Sequence, residues 1–157
     1  MIKRIEKYQY NSAIALISDA GSPLISDPGY NLIQDYIKKN LYVTTIPGPS
    51  SILSSLQLSG LPINNFEFFG FVSKSISNMN SQAKKLQNVI ATSVFFISGN
   101  RLVSFLKILL DAKIYRKVAV CKELTKKNER VFRGYIKKII DEINIDKSNL
   151  KGEFTLL

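Results

Sequence analysis

The 157 residues include no histidine, no tryptophan and a single cysteine, Cys121. Without histidine there are no imidazole acid–base schemes, His-based triads or HExxH metal sites. One cysteine excludes an internal disulfide framework and a cysteine-rich zinc site, so the sequence implies no metal. Long hydrophobic runs are missing as well. Ala13–Ile17 and Val94–Ile97 fall far short of the ~20 residues that a membrane-spanning helix needs. The amino-terminal stretch MIKRIEKYQYN is charged and lacks the apolar region of a secretory signal. These absences lead to the expectation of a cytoplasmic protein in a reducing compartment, without a membrane partner.

Acidic residues are also scarce, 12 against 22 Lys and Arg, for a net charge of +10. The excess is uneven: residues 1–63 carry net +1 and residues 64–157 net +9. Between Arg116 and Lys138 only Glu123 and Glu129 oppose nine basic residues. Such an imbalance favours polyanions through counterion release, although a solvated lysine surface has the same composition. With 45% hydrophobic residues the chain is rich enough in apolar side chains to fold around a core.

Apolar β-branched runs alternate with amphipathic segments. The pattern predicts a helix over Ile2–Gln9 and a buried strand over Ser12–Ser18. A helix follows over Tyr30–Lys39, stopped at Asn40, and a strand over Leu41–Ile46. A helix from Ser50 or Ser51 to Ser59 ends at Gly60. This strand–helix–strand–helix order reads as part of an open α/β sheet. Composition changes at Leu61–Asn65, the expected linker, so the domains are read as 1–63 and 64–157. In the second, strands are expected at Phe66–Val72, Thr92–Ile97, Lys117–Cys121, Arg130–Tyr135 and Glu153–Leu157. Helices are expected at Asn78–Ile90, from Asn100 to Ala112, and at Ile136–Ile143.

Two loops concentrate the chemistry. Ser18-Asp-Ala-Gly-Ser-Pro-Leu-Ile-Ser-Asp-Pro-Gly29 follows the first expected strand, at the edge where open α/β sheets bind ligands. Gly21 permits close backbone approach, and Asp19 and Asp27 are hydrogen-bond acceptors for an ammonium or ribose hydroxyl. Ile46-Pro-Gly-Pro-Ser-Ser51 occupies the same place after the second expected strand, with Ser50 and Ser51 offering hydroxyls and helix-start amides. Either loop alone reads equally as a turn or cap; side by side they define one pocket. Farther along, Lys122, Lys126, Lys127, Arg130 and Arg133 surround Phe132 and Tyr135. Cations interleaved with aromatics suit RNA phosphates and bases, and suit a solvated strand pair as well. Cys121, in an apolar strand, reads as inert core.

These motifs resemble the tetrapyrrole methylase superfamily, in its branch that modifies ribosomal RNA. Ser18–Gly29 is similar to the SDAG(S/T)PxISDPG signature and Ile46–Ser51 to the IPGPS loop. Leu58-Ser-Gly-Leu-Pro62, Phe69-Gly-Phe71, Glu123-Leu-Thr-Lys126, Arg133-Gly134 and Lys151-Gly-Glu153 match further segments. The resemblance spans essentially the whole chain. It implies two α/β domains with a cofactor cleft between them, and S-adenosyl-L-methionine as cofactor. The implied reaction is methylation of a cytidine ribose 2′-hydroxyl in small-subunit (16S) ribosomal RNA, with that RNA or the 30S subunit as partner and a homodimer as the complete protein. The implied cofactor contacts are Ala20, Gly21, Ser22, Leu24, Ile25, Ser50, Ser51 and Ile97, with Asp19, Pro47 and Gly48 beside them. The RNA contacts expected from the basic run itself are Lys122, Lys126, Lys127, Arg130 and Arg133. Asp19, Asp27, Glu123 and Lys126 are ionisable candidates for proton transfer, and none is singled out as a base.

The family pattern carries a TPIGNL-type strand and an EDTR segment ahead of the point where the match begins. The first domain is therefore expected to be incomplete, and a truncated or split-gene fragment that binds RNA or a partner subunit is the alternative function. Where the pattern reads FYESPHR this chain reads Phe95-Phe-Ile-Ser-Gly-Asn-Arg101. Arg101 is kept, while Ile97 and Asn100 replace the acidic and imidazole positions. A tetrapyrrole substrate is the weaker reading, because the carboxyl half is basic and the loop reads SDAGSP.

Overall fold

The computed structural model describes residues 13–157. The helix expected at Ile2–Gln9 lies outside them. The chain packs as two compact units that divide after Ser50, ahead of the linker expected at 61–65.

The first unit, up to Ser50, has one regular element among the described residues, helix α1 (Tyr30–Lys38). Gly29 enters it at φ 135°, and Asn40 leaves it at φ 53°, the left-handed geometry expected of a helix stop. The two strands expected around this helix are not formed: residues 13–18 and 41–50 are neither strand nor helix. A parallel strand needs partners on its edges and cover on both faces. Here Ile14, Leu16, Ile17, Val43 and Ile46 are exposed, and none of residues 13–50 is buried.

The second unit, Ser51–Leu157, holds a five-stranded sheet. Its elements in chain order are α2 (Ser51–Ser59), β1 (Phe66–Phe71), α3 (Ile76–Leu86), β2 (Thr92–Ser98), α4 (Gly99–Asp111), β3 (Lys117–Lys122), β4 (Arg130–Tyr135), α5 (Ile136–Asn144), a 3-10 turn (Lys147–Leu150) and β5 (Glu153–Leu156). The strand order is β1-β2-β5-β3-β4, with β1 and β2 parallel and every other pair antiparallel. The carboxyl-terminal strand thus sits in the middle of the sheet. Two expected helix starts shift. Ser75, whose hydroxyl accepts from Asn78 N–H, caps α3. Ser98 rather than Asn100 precedes α4, with its hydroxyl 2.6 Å from the Asn100 side chain.

Alternation along the strands builds two cores. Val118, Val120, Phe95 and Ile97 join Leu102, Phe105, Leu106, Ile136, Ile139 and Ile143 of α4 and α5. On the opposite face Ala119, Cys121, Val94 and Leu157 meet Ile52 and Leu56 of α2. Small residues let α2 approach closely. Its buried Ser55 and Ser59 hydroxyls donate back to the Ile52 and Leu56 carbonyls at 2.9 and 2.8 Å, so neither hydroxyl is stranded. Gly70, at φ 72°, makes a bulge between the Phe68–Val94 and Phe71–Phe96 pairings. The bulge resets the alternation, burying Val72 in the first core and turning Phe71 toward Phe96 on the other face.

Candidate functional site

In the first unit the two chemically dense loops meet. The Ser22 hydroxyl donates to the Pro49 carbonyl at 3.3 Å. Gly21 has φ 77°, and a Cβ built on it would find, among the described residues, only Pro49 O, 4.0 Å away. Gly48 is equally open, its nearest neighbour being Ile46 O at 4.0 Å. Two stretches of bare backbone therefore border open space, as a closely bound ligand requires. The first loop is held in shape from within: the Ser18 hydroxyl bonds the Asp27 carboxylate, and also lies 3.2 Å from Ala20 O. Leu24 and Ser26 are held at φ 71° and 60°. Leu24 and Leu16 press on Gly29, where a Cβ would lie 2.7 to 2.8 Å from their methyls.

Asp19, Ala20, Leu24, Ile25, Pro47 and Gly48 are exposed, and Ser22 and Ser50 are half-buried. Of the remaining residues implied to contact cofactor, Ser51 opens α2 and Ile97 lies on β2, both in the second unit. The Ile97 side chain is 2% exposed and belongs to the core. Arg101 is engaged as well: Nη1 donates to Val72 O at 2.5 Å and Nε to the Ser98 hydroxyl at 2.6 Å, tying the end of β1 to the start of α4.

The cations around the β3–β4 turn are mostly spoken for. Lys122 is buried, and its Nζ donates to Ser148 O at 2.7 Å, holding the 3-10 turn against the sheet. Lys126 bridges Glu153 at 2.7 Å and Glu123 at 3.2 Å. Those bonds raise the Lys126 pKa and keep its charge. The Glu153 N–H, donating to the Glu123 carboxylate at 2.7 Å, is the main cause of the lowered Glu123 pKa. Gly152 makes room for this pair, since a Cβ there would lie 2.6 Å from the Glu123 side chain. Arg130 donates to Asn149 at 3.1 Å and lies over the Phe132 ring. The Arg133 guanidinium donates twice to Leu58 O, the carbonyl end of α2. Lys127 alone of the five is exposed with no partner among the described residues.

Sequence reasoning missed these partners: Ser148, Asn149, Glu153 and Leu58 lie far along the chain from the cations they bind. A helix-end carbonyl or a buried loop leaves no local signal pointing at a distant arginine. Cys121 is buried, its Sγ facing Ser55 O at 4.0 Å, and burial pushes its thiol up to about 11, as inert core requires.

The description of the Tetrapyrrole (Corrin/Porphyrin) Methylases matches residues 1–140. The chain is 41% identical over 147 residues to a ribosomal RNA small subunit methyltransferase I of Rickettsia prowazekii, covering 93% of this chain and 51% of that protein. It is 36% identical over 144 residues to a protein of the same name from Thermotoga maritima, covering 92% and 64%. The chain thus spans between about half and two thirds of the length of these relatives. Among solved structures, the methyltransferase CobJ matches with a TM-score of 0.56 at 10% identity, covering 87% of this chain and 60% of that one. The cobalt precorrin-4 methyltransferase CbiF matches at 0.50 and 16% identity, covering 81% and 58%. The α/β fold is that of these tetrapyrrole methyltransferases.

Proposed function

The chain belongs to the tetrapyrrole (corrin/porphyrin) methylase family, and from that premise we propose that it serves S-adenosyl-L-methionine-dependent methylation of a cytidine 2′-hydroxyl in small-subunit (16S) ribosomal RNA. What carries this reading is the identity, over nine-tenths of the chain, to relatives bearing a small-subunit rRNA methyltransferase name. The open backbone at Gly21 and Gly48 suits the cofactor, because a flat, polar molecule can lie against amides and carbonyls that no side chain covers. Asp19, Ala20, Gly21, Ser22, Pro47, Gly48 and Ser50 would hold it, with Leu24 and Ile25 offering apolar contact. Ser51 and Ile97, also expected to contact it, belong to the second unit. When bound, S-adenosyl-L-methionine supplies an electrophilic sulfonium methyl.

The chain's own residues align the acceptor and exclude water, which can account for much of the acceleration. A ribose hydroxyl also needs somewhere to leave its proton. Lys126 is held protonated, Glu123 is bonded to Glu153 N–H and Lys126, and Asp27 is bonded to Ser18. Asp19, exposed and without a partner among the described residues, is the group assigned to accept it. On the RNA side Lys127 is free to meet phosphate, and Lys126 and Arg130 do so only by sharing their present bonds. A cytoplasmic homodimer acting on the 30S subunit completes the proposal.

The test is transfer of labelled methyl to 30S subunits, followed by alkaline hydrolysis of the RNA. A 2′-O-methyl group blocks cleavage at its own phosphodiester, so one alkali-resistant cytidine step is expected. Asp19→Asn should abolish transfer, a far larger loss than any fall in S-adenosyl-L-methionine affinity read by calorimetry. Label in a base, or transfer to a corrin or porphyrin instead of RNA, would overturn the reading.

A further inference from the structure

The second unit has a basic rim away from the β3–β4 turn, at the opposite end of the sheet where β3 begins and β4 ends. Its members are linked by contacts. Lys84 and Lys85 occupy the last turn of α3, and the next carbonyl, Leu86 O, accepts from Arg116 Nη2 at 3.1 Å. Gln87 Nε2 reaches Ala112 O at 3.0 Å, bringing in the Lys113 turn. Lys117 pairs with Tyr135 across β3 and β4, and Lys137 and Lys138 follow in the first turn of α5. All seven cations are exposed.

Compensation separates this rim from the turn. At the turn Lys126 is clamped between two glutamates. At the rim the nearby carboxylates are Asp111, at the end of α4, and Asp141 and Glu142, along α5. Among the described residues the one ion pair they make with the rim is Lys138–Glu142 at 3.5 Å. Lys84, Lys85, Lys113, Lys117 and Lys137 meet no carboxylate among the described residues. Two exposed aromatic rings are interleaved with them, Tyr115 at 71% and Tyr135 at 59% exposure.

We propose that this rim, built on Lys84, Lys85, Arg116, Lys117 and Lys137 with Tyr115 and Tyr135, is an RNA-docking surface that holds the ribosomal RNA substrate by its phosphates. The inference rests on the ribosomal RNA reading above and adds a contact surface to it. Uncompensated lysines on a polyanion release counterions, and a phenol ring offers a face to an unstacked base. An anionic membrane surface attracts the same charges but gains its hold from apolar insertion. The rim presents tyrosines, with Ile90 its exposed aliphatic neighbour ahead of β2.

The test is filter binding of the chain to a synthetic oligoribonucleotide copied from the small-subunit decoding region, over a series of salt concentrations. Changing Lys84, Lys85, Lys117 and Lys137 together to Gln should lower the log–log salt slope by about three to four and the affinity by about tenfold or more. Affinity for S-adenosyl-L-methionine and the melting temperature should stay at the wild-type values. Tyr115→Ala with Tyr135→Ala should weaken binding and leave the slope unchanged, since stacking displaces no counterions. Wild-type slope and affinity in the four-lysine variant would overturn the rim. So would absence of salt-dependent RNA binding by the wild type, or a loss confined to phosphatidylserine vesicles. Methyl transfer that persists alongside an unchanged slope would sink the rim and spare the reaction. A slope that falls, in a protein that methylates no ribose, would sink the reaction and spare the rim.

Discussion

At the residue scale, the consequential positions are those where a backbone or a carboxylate has a single workable environment. Gly21 combines a left-handed φ of 77° with open space at its Cβ position. A Gly21→Val variant meets both strain and the loss of that space. We expect S-adenosyl-L-methionine affinity to fall by about tenfold or more by calorimetry, with the melt of the second unit unchanged. Wild-type affinity would remove the loop from the site. Glu123 behaves differently, because its role is structural. Its pKa is lowered, chiefly by Glu153 N–H, so its carboxylate stabilises the fold above the ordinary carboxyl value of 4.5 and ceases to do so as pH falls through the lowered value. The Lys126 charge opposite it persists beyond its ordinary 10.5, so the cluster holds across the whole interval between. Wild type should therefore melt above Glu123→Gln at neutral pH, and the gap should close in acid below pH 4.5. A gap that is the same at both pH values would refute the ionic account.

At the element scale, α2 shows how a short helix with four serines becomes part of a core. Back-bonded hydroxyls satisfy its buried polar atoms, Ala119 and Cys121 leave it room, and Arg133 holds its carbonyl end. A guanidinium at a helix carboxyl terminus answers both the orphan carbonyl and the dipole. Arg133→Ala should cost about 1 kcal/mol in urea unfolding. Hydrogen exchange should quicken at the last turn of α2 before it does in β3. Exchange that rises equally everywhere would mean that the arginine does not act through this helix. The Gly70 bulge is a second device of this kind. One extra residue in β1 decides that Val72 is core and that Phe71 joins Phe96 on the opposite face.

At the scale of the whole molecule, stability is unequally shared. Among the described residues the second unit owns both hydrophobic clusters and all five strands, while no residue from 13 to 50 is buried. Local unfolding free energy follows buried apolar contacts and protected backbone hydrogen bonds. Limited proteolysis should therefore cut within residues 13–50 first and leave a resistant species beginning near Ser51. Protection of the 13–50 amides equal to that of β3 would contradict this order. Stability and candidate chemistry thus fall on different stretches of chain, as is common where loops bind ligands.

Much of this protein is decided locally and was legible in the sequence. The strands and helices after residue 50 follow from period-2 and period-3.6 patterning, and Asn40 and Gly60 end helices because they tolerate positive φ. The two loops could be read as neighbours from their Gly, Ser and Pro spacing, and the Ser22–Pro49 contact brings them together. What lay beyond the sequence was non-local. The runs at 12–18 and 41–46 have strand composition, yet a strand exists only when another pairs with it, and composition cannot supply that partner. The five basic residues of the β3–β4 turn look alike in sequence. Only the fold makes Lys122 a buried clasp on Ser148, Lys126 a bridge between two glutamates and Arg133 a helix latch. A charge's availability depends on which carboxylates and carbonyls the chain carries back to it, and that is a property of tertiary structure.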